Sequence, residues 1–375
     1  MTIDSARDQS QPLVSIVINN YNYERFLATA IDSALGQTYA PVEVIVVDDC
    51  STDGSRQLIA GYGDRIVPVL HSTNGKQGAA FNSGFAASRG DIVLFLDADD
   101  YLYPEAVERI VAVWRPGLAK VHYRLDVVDA AGQPRGYTLP PVSLPLAAGE
   151  VWRTLLKMGT YNGTPTSGNA LSRQALAQVT PIASDYTTTA DDYLSVLIPL
   201  YGEVATVETP LGAYRIHDSN QWAMATISGS RFHRFIRHDV QRCELLQAWG
   251  PKLGYAVPDD LYMRSFGRVW SRLSSLRFDP ATHPVLTDRR GPLTWLGIRA
   301  LWRYSDYNLP KRLIFSLWFL WVGLMPGALA KPAIVWLFAP HQRPQAIQRL
   351  LKGLRRLVTA PAPAAAVKTA EPDVG

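Results

Sequence analysis

Residues Asp91 to Asp100 read DIVLFLDADD. Ile92 to Leu96 is an apolar run too short for a helix. It reads as a strand buried on both faces, the pattern of a parallel sheet flanked by helices. The run stops at three carboxylates, Asp97, Asp99 and Asp100. In open α/β sheets, ligands sit beyond the carboxyl ends of the strands. Carboxylates gathered there repel one another unless a cation or a metal-bound phosphate joins them. Hard divalent ions such as Mg²⁺ or Mn²⁺ take such oxygen ligands and bridge them to substrate phosphates. A solvated, helix-capping loop before Pro104 is the alternative reading of the same residues.

The preceding chain repeats one unit. LVSIVINN (Leu13 to Asn20) is a strand, and Glu24 to Gln37 has apolar residues at helical spacing. VEVIVVDD is a second strand, ending in Asp48 and Asp49, and Ile66 to Leu70 is a third. KQGAAFNSGFAAS reads as a small-residue helix that can pack closely on the sheet. A further helix is expected from Pro104 to Trp114. This β-α-β-α-β-α-β order predicts a doubly wound parallel sheet. Polar residues close three strands: Asn19 and Tyr21, Asp48 and Asp49, then Asp97 and Asp99. A Gly-rich dinucleotide fingerprint is absent after the first strand, which argues against hydride transfer. Tyrosine and aspartate there suit a base or ribose, with the phosphates left to a metal.

Together, VSIVINNYNYERFLATAIDSALGQTYAPVEVIVVDDCSTDGS, NGKQGAAFNSGFAASRGDIVLFLDADD and the later ADDYL resemble a family 2 glycosyltransferase of the GT-A fold. The resemblance covers roughly residues 13 to 217. It implies an α/β, mostly parallel sheet with helices on both faces, followed by a helical C-terminal region. It also implies residue roles. Asp49 would contact the nucleotide base beside Asn19 and Tyr21, Asp97 would lie near the ribose, and Asp99 would hold the metal bridging the diphosphate. Lys76 would be a further nucleotide contact. Asp48 joins this set, with a strand-end cap as its alternative.

KVHYRLDVVDAAGQPRGY reads as an antiparallel hairpin. Glu150 to Met158 is a short helix, and TSGNALSRQAL a strand entering a helix, with Ser167 to Asn169 facing the sugar or forming a surface turn. Asp191 and Asp192 open another helix, where carboxylates also suit the helix dipole. The family usually carries Glu-Asp here, with the second residue as catalytic base, which points to Asp192. In YRIHDSN, His217 is a candidate third group for metal or diphosphate, with a solvated loop histidine as the alternative. Gln221-Trp222 occurs without an Arg-Trp pair, unlike the Q-x-x-R-W of processive synthases, so a single-addition enzyme is expected.

The expected divisions are a disordered start (1–12), a nucleotide-sugar-binding half (13–115), an acceptor-side half (116–222), a helical region (223–357) and a disordered tail (358–375). Two cysteines, Cys50 and Cys243, leave no disulfide framework and suit a reducing compartment. The N-terminus has no apolar run of the secretory kind. A net charge of +4, with basic residues concentrated late, favours a membrane surface over nucleic acid. Leu313 to Ala330 is eighteen uncharged residues interrupted by Gly323, Pro326 and Gly327, and Arg343 to Arg356 reads as a basic amphipathic helix. Peripheral membrane contact through 311–356 is expected, at the cytoplasmic face of the cell membrane; a span, a re-entrant hairpin or a buried core helix are the alternatives.

The resemblance thus implies an inverting, metal-dependent transferase using a nucleotide-diphosphate sugar, UDP-linked by preference, and a glycan or lipid-linked acceptor. A nucleotidyltransferase would need a basic Gly-rich loop that NNYNYER does not supply. A membrane scaffold with a dead transferase domain would be expected to lose Asp99 or Asp192, and both remain.

Overall fold

The computed structural model describes residues 11–218, 229–305, 307–339, 342–345 and 348–349. Most of the expected disordered start, Gln221-Trp222, much of the 343–356 segment and the tail lie outside the described residues. The chain divides into two compact units, residues 1–224 with 237–264, and residues 225–236 with 265–375.

The first unit is built on one nine-stranded sheet. Its strands are β1 (Val14–Asn20), β2 (Val42–Asp48), β3 (Val67–Leu70), β4 (Ile92–Asp97), β5 (Tyr101–Leu102), β6 (Leu118–Val128), β7 (Pro134–Leu139), β8 (Asn169–Ser172) and β9 (Glu203–Arg215). The order is β3-β2-β1-β4-β8-β6-β9-β5, with β7 paired to β6. β1 to β4 are parallel, and the apolar runs of β1, β2 and β4 are buried as a doubly covered sheet requires. Beyond β4 the pairing is mixed: β8 runs antiparallel to β4 and β6, whereas β9 is parallel to β6. The short β5 pairs antiparallel to β9, so Tyr101 and Leu102, just after the carboxylates, are held in the sheet. The β6–β7 hairpin turns at Asp129, whose carboxylate accepts from the backbone N–H of Ala131 and Gln133.

Helices cover both faces. α1 (Glu24–Leu35), α2 (Ser55–Gly61) and α4 (Ala106–Val113) share a core with Ile16 and Ile18 of β1. α3 (Lys76–Ala87), α5 (Val151–Met158), α6 (Arg173–Val179), α7 (Ala190–Leu197) and the end of α8 (Gly229–Trp249) share the opposite core with Val17 and Val47. The small residues of α3 permit a close approach. A Cβ on Gly84 would stand 2.2 Å from Val17 Cγ1 and 3.2 Å from Val47 Cγ2. Gly84→Ala is therefore expected to destabilise the fold by about 1–2 kcal/mol, overpacking outweighing the better helix propensity of alanine. A lowered urea midpoint at unchanged m-value would show it.

The second unit packs the start of α8 with α9 (Phe266–Phe278), α10 (Arg290–Tyr304), α11 (Leu309–Leu324) and α12 (Gly327–Phe338). Phe232, Leu273, Leu293, Phe319, Val322 and Ile334 are central to its core. The apolar run from Leu313 is broken at Met325–Pro326 and not at Gly323, which lies inside α11. Gly323 is there for contact: a Cβ would meet Thr294 Oγ1 of α10 at 1.8 Å. No helix among the described residues is long and apolar enough to cross a membrane.

Candidate active site

The strand order reverses between β1 and β4, and the polar strand ends gather there. This is where an open α/β sheet leaves a crevice for ligands. Asn19 is in register with Asp97, and its Nδ2 donates to Asp97 Oδ1 at 2.8 Å. Asn19 Oδ1 is buried without a hydrogen-bond partner among the described residues. An orphaned acceptor here is costly unless a ligand donor completes it.

Asp48 and Asp49 diverge in role. Asp48 is fully buried and accepts from Asn20 Nδ2 (2.9 Å), Ser51 N–H (3.0 Å) and Arg56 Nε (2.9 Å). Burial raises its pKa, but these donors hold it below the ordinary carboxylate range. Its oxygens thus serve as a strand-end cap. Asp49 accepts from the backbone N–H of Gly75 (2.8 Å) and Lys76 (2.7 Å), and pairs with His71 Nδ1 (2.8 Å). It fixes the loop that opens α3 and holds Lys76 at φ 68°, a conformation a lysine rarely adopts. The Lys76 ammonium stands 5.9 Å from the Tyr21 ring, and Tyr21 is exposed at the lip of the crevice. His71, whose Nε2 also meets Ser83 Oγ at 2.8 Å, is a member that sequence reasoning missed.

Asp97, Asp99 and Asp100 crowd together. Burial, reinforced by Asp99, pushes Asp97 up to about 7, and burial with the charges of Asp99 and Asp97 pushes Asp100 well above its ordinary value. Ser167 Oγ accepts from Asp97 N–H at 3.1 Å and donates to Asp100 Oδ2 at 2.6 Å. Ser167 is therefore buried beneath the carboxylate loop and does not face a sugar, because two polar groups of the loop need it. Asn169, likewise read as sugar-facing, turns its amide to the carbonyls of Pro165 (2.6 Å) and Thr166 (3.1 Å). Arg215 clasps the loop from β9, donating from Nε to Asp99 O (2.8 Å) and from its backbone N–H to Asp100 Oδ1 (2.9 Å).

His217 Nε2 lies 3.0 Å from Asp99 Oδ2, and its Nδ1 lies 3.0 Å from Arg25 Nη2. A guanidinium only donates, so Nδ1 accepts and the ring proton sits on Nε2, directed at Asp99. A cation shared by Asp99 and His217 would take that proton's place. Among the described residues no three His, Cys, Asp or Glu side chains form a ready metal cage. One carboxylate and one imidazole amid crowded carboxylates nevertheless fit a hard cation that completes its shell with substrate phosphates.

The start of α7 is brought in by α3. Asn82 brackets Ile182, donating to its carbonyl (3.0 Å) and accepting from its N–H (2.7 Å), while Gly78 N–H donates to Thr187 O (2.9 Å). This places Asp191 close enough to raise the pKa of Asp97. Burial, then the charge of Asp192, lifts Asp191 itself to about 6. Asp192 behaves oppositely. Its carboxylate pairs with His238 Nδ1 at 2.5 Å and with Arg242 through both Nε (3.0 Å) and Nη2. Burial raises its pKa, but Arg242 and His238 prevail and hold it low. Both partners lie on α8, a stretch with no recognisable chemistry in the sequence. Their spacing of four residues on one helix face is the only signal they leave.

The sheet order, the switch-point crevice and the carboxylate loop define a GT-A-type transferase fold. The structure aligns with that of residues 1–349 of Staphylococcus aureus TarS solved with UDP-GlcNAc, at a TM-score of 0.51 and 16% identity, over 86% of this chain and 89% of that one. Residues 15–151 match the family model described as glycosyl transferase family 2. The chain is 36% identical over 256 residues to the uncharacterized glycosyltransferase alr2836 of Nostoc sp., covering 66% of this chain and 79% of that protein. It is 39% identical over 101 residues to the uncharacterized glycosyltransferase EpsJ of Bacillus subtilis, covering 26% of this chain and 29% of that protein. This chain belongs to glycosyltransferase family 2.

Proposed function

We propose that the chain is an inverting, single-addition glycosyltransferase that moves a sugar from a nucleotide-diphosphate donor, UDP-linked by preference, to an acceptor hydroxyl. The observation that carries this reading is the meeting, at one switch point, of an orphaned Asn19 acceptor, the Asp99–His217 pair and the Asp191–Asp192 pair. Asn19, Tyr21, Asp49 and Lys76 would receive the nucleoside, Asp97 the ribose, with Asp48 shaping the floor of that pocket. Asp99 and His217 would hold Mg²⁺ or Mn²⁺, which when bound supplies positive charge at the leaving diphosphate. Asp192 would take the proton of the attacking hydroxyl, and Arg242 keeps it ionised for that task despite its burial. One displacement with one carboxylate base, and no carboxylate nucleophile, inverts the anomeric centre. An acceptor on a lipid or envelope glycan follows if the C-terminal helices contact the inner membrane face.

A second reading of the base is favoured by one observation: Asp191, lifted to about 6, is better matched to proton transfer near neutrality.

The donor is named by titrating a panel of nucleotide-sugars with and without Mn²⁺. One UDP-sugar is expected to bind only with metal, and Asp99→Ala to lose that metal-dependent binding. Absence of binding by every donor in both conditions would overturn the reading.

A further inference from the structure

The second unit carries an apolar face that no described residue of its own fold covers. On α11, Leu309, Leu313, Leu317 and Trp321 recur every four residues and Leu324 follows three later, so they share one side of the helix. All five are between 46% and 66% exposed. They cannot turn inward, because the opposite side is locked onto α10. A Cβ on Gly297 would stand 2.1 Å from the Phe319 ring, and Gly323 abuts Thr294 as described above. Two tryptophans of α10 extend the same character: Trp295 and Trp302, seven residues apart, are exposed. Trp302 donates its indole N–H to Ser316 Oγ at 3.0 Å, and Trp321 donates to Leu329 O at 3.0 Å. With those donors satisfied, the rings can enter an apolar layer without stranding a polar group.

Charge selects the occupant. Among the described residues of this unit the exposed charges are mainly positive, including Arg289, Arg290, Arg299, Arg303, Lys311 and Lys331, against one accessible carboxylate, Asp279, which accepts from Thr282 Oγ1 at 2.6 Å. Its Asp288 is buried against Arg272 and His283. By sequence the unit holds 18 Lys and Arg against 5 Asp and Glu, a balance of +13, whereas the first unit holds 19 against 28, a balance of −9. A second copy of this chain would oppose like charges across the face. An acidic bilayer surface would not, and exposed apolar area rimmed by Trp, Arg and Lys is the pattern of a helix lying in the headgroup layer. At 16 residues α11 is about 24 Å long, short of the ~30 Å apolar core, so it is too short to cross and an in-plane placement is the one that suits it.

We infer that the α10–α11 face docks in-plane on an anionic lipid bilayer, with the Leu–Trp ladder in the acyl boundary and the cations against lipid phosphates. This deepens the membrane part of the reading above. Vesicle binding needs neither donor nor metal, so its failure and that of the transferase chemistry are separable.

The test is co-sedimentation of the full chain with phosphatidylcholine vesicles and with vesicles about one third phosphatidylglycerol. Wild type is expected on the anionic vesicles and to be released by high salt, with its tryptophan fluorescence shifted to the blue. Leu313→Glu with Leu317→Glu should weaken retention about tenfold or more while preserving the circular dichroism spectrum. Arg299→Glu with Arg303→Glu, which leaves the ladder intact, should remove the preference for anionic lipid. Wild type that stays unbound, or a folded ladder variant that binds equally well, overturns the inference. So does a wild-type dimer by light scattering that the ladder variant dissociates, with no vesicle retention, since the face would then join two copies.

Discussion

Asp192→Asn is expected to lower kcat by about 10²- to 10⁴-fold, the usual contribution of a general base, while leaving donor affinity nearly unchanged. The amide keeps the shape of the carboxylate and can still accept from Arg242, but it cannot take a proton. Because the change also removes the charge facing a partly buried guanidinium, folding must be checked alongside; metal-dependent donor binding by the variant serves as that check. Single-turnover transfer should fall in step with kcat, since only the chemical step is affected. Asp191→Asn is the informative companion. A larger loss there, with Asp192→Asn close to wild type, would move the base to Asp191.

Arg242→Ala should act through Asp192 and not on substrate. In the native chain Arg242 and His238 hold Asp192 below its ordinary pKa against the pull of burial. Without the guanidinium, only His238 is left to oppose burial, so the pKa must rise. The ionised fraction at a given pH then falls. The acid limb of the kcat/KM profile is expected to move to higher pH, with the deepest loss on the acid side and recovery as pH rises; Arg242→Lys should restore part of it. A merely structural arginine would lower activity evenly across pH. Breaking the pair should also cost about 2–4 kcal/mol, somewhat discounted because the Arg242 side chain is 28% exposed. The sign follows from the depressed native pKa: this stabilisation is present above the unfolded value of roughly 3.9 and is lost as pH falls through the native one. The Tm difference between wild type and Arg242→Ala should therefore be widest near neutrality and shrink in acid.

Much of this was legible in the chain. The buried runs of β1, β2 and β4 announce themselves because a strand covered on both faces must be continuously apolar, and their polar ends mark the edge where those runs leave the core. The small residues of α3 announced a close contact, and Gly84 makes one with Val17. What could not be read were long-range polar partners. His71 serves Asp49 across 22 residues, Ser167 serves Asp100 across 67, and Arg215 reaches the Asp99 carbonyl across 116. Such residues carry no periodicity and resemble ordinary loop polar groups until the sheet brings them together.

The sequence by itself determined the nucleating β-α-β order, the carboxylate strand ends and the family, because local periodicity and motif spacing are properties of neighbouring residues. Only the tertiary structure decided that Asp48 caps its strand while Asp49 builds the α3 loop, and that Asp191 and Asp192 differ in their acid–base character. Two adjacent carboxylates are alike in sequence. They part when one is desolvated beside another acid and the other is met by Arg242 and His238, from a helix some fifty residues away.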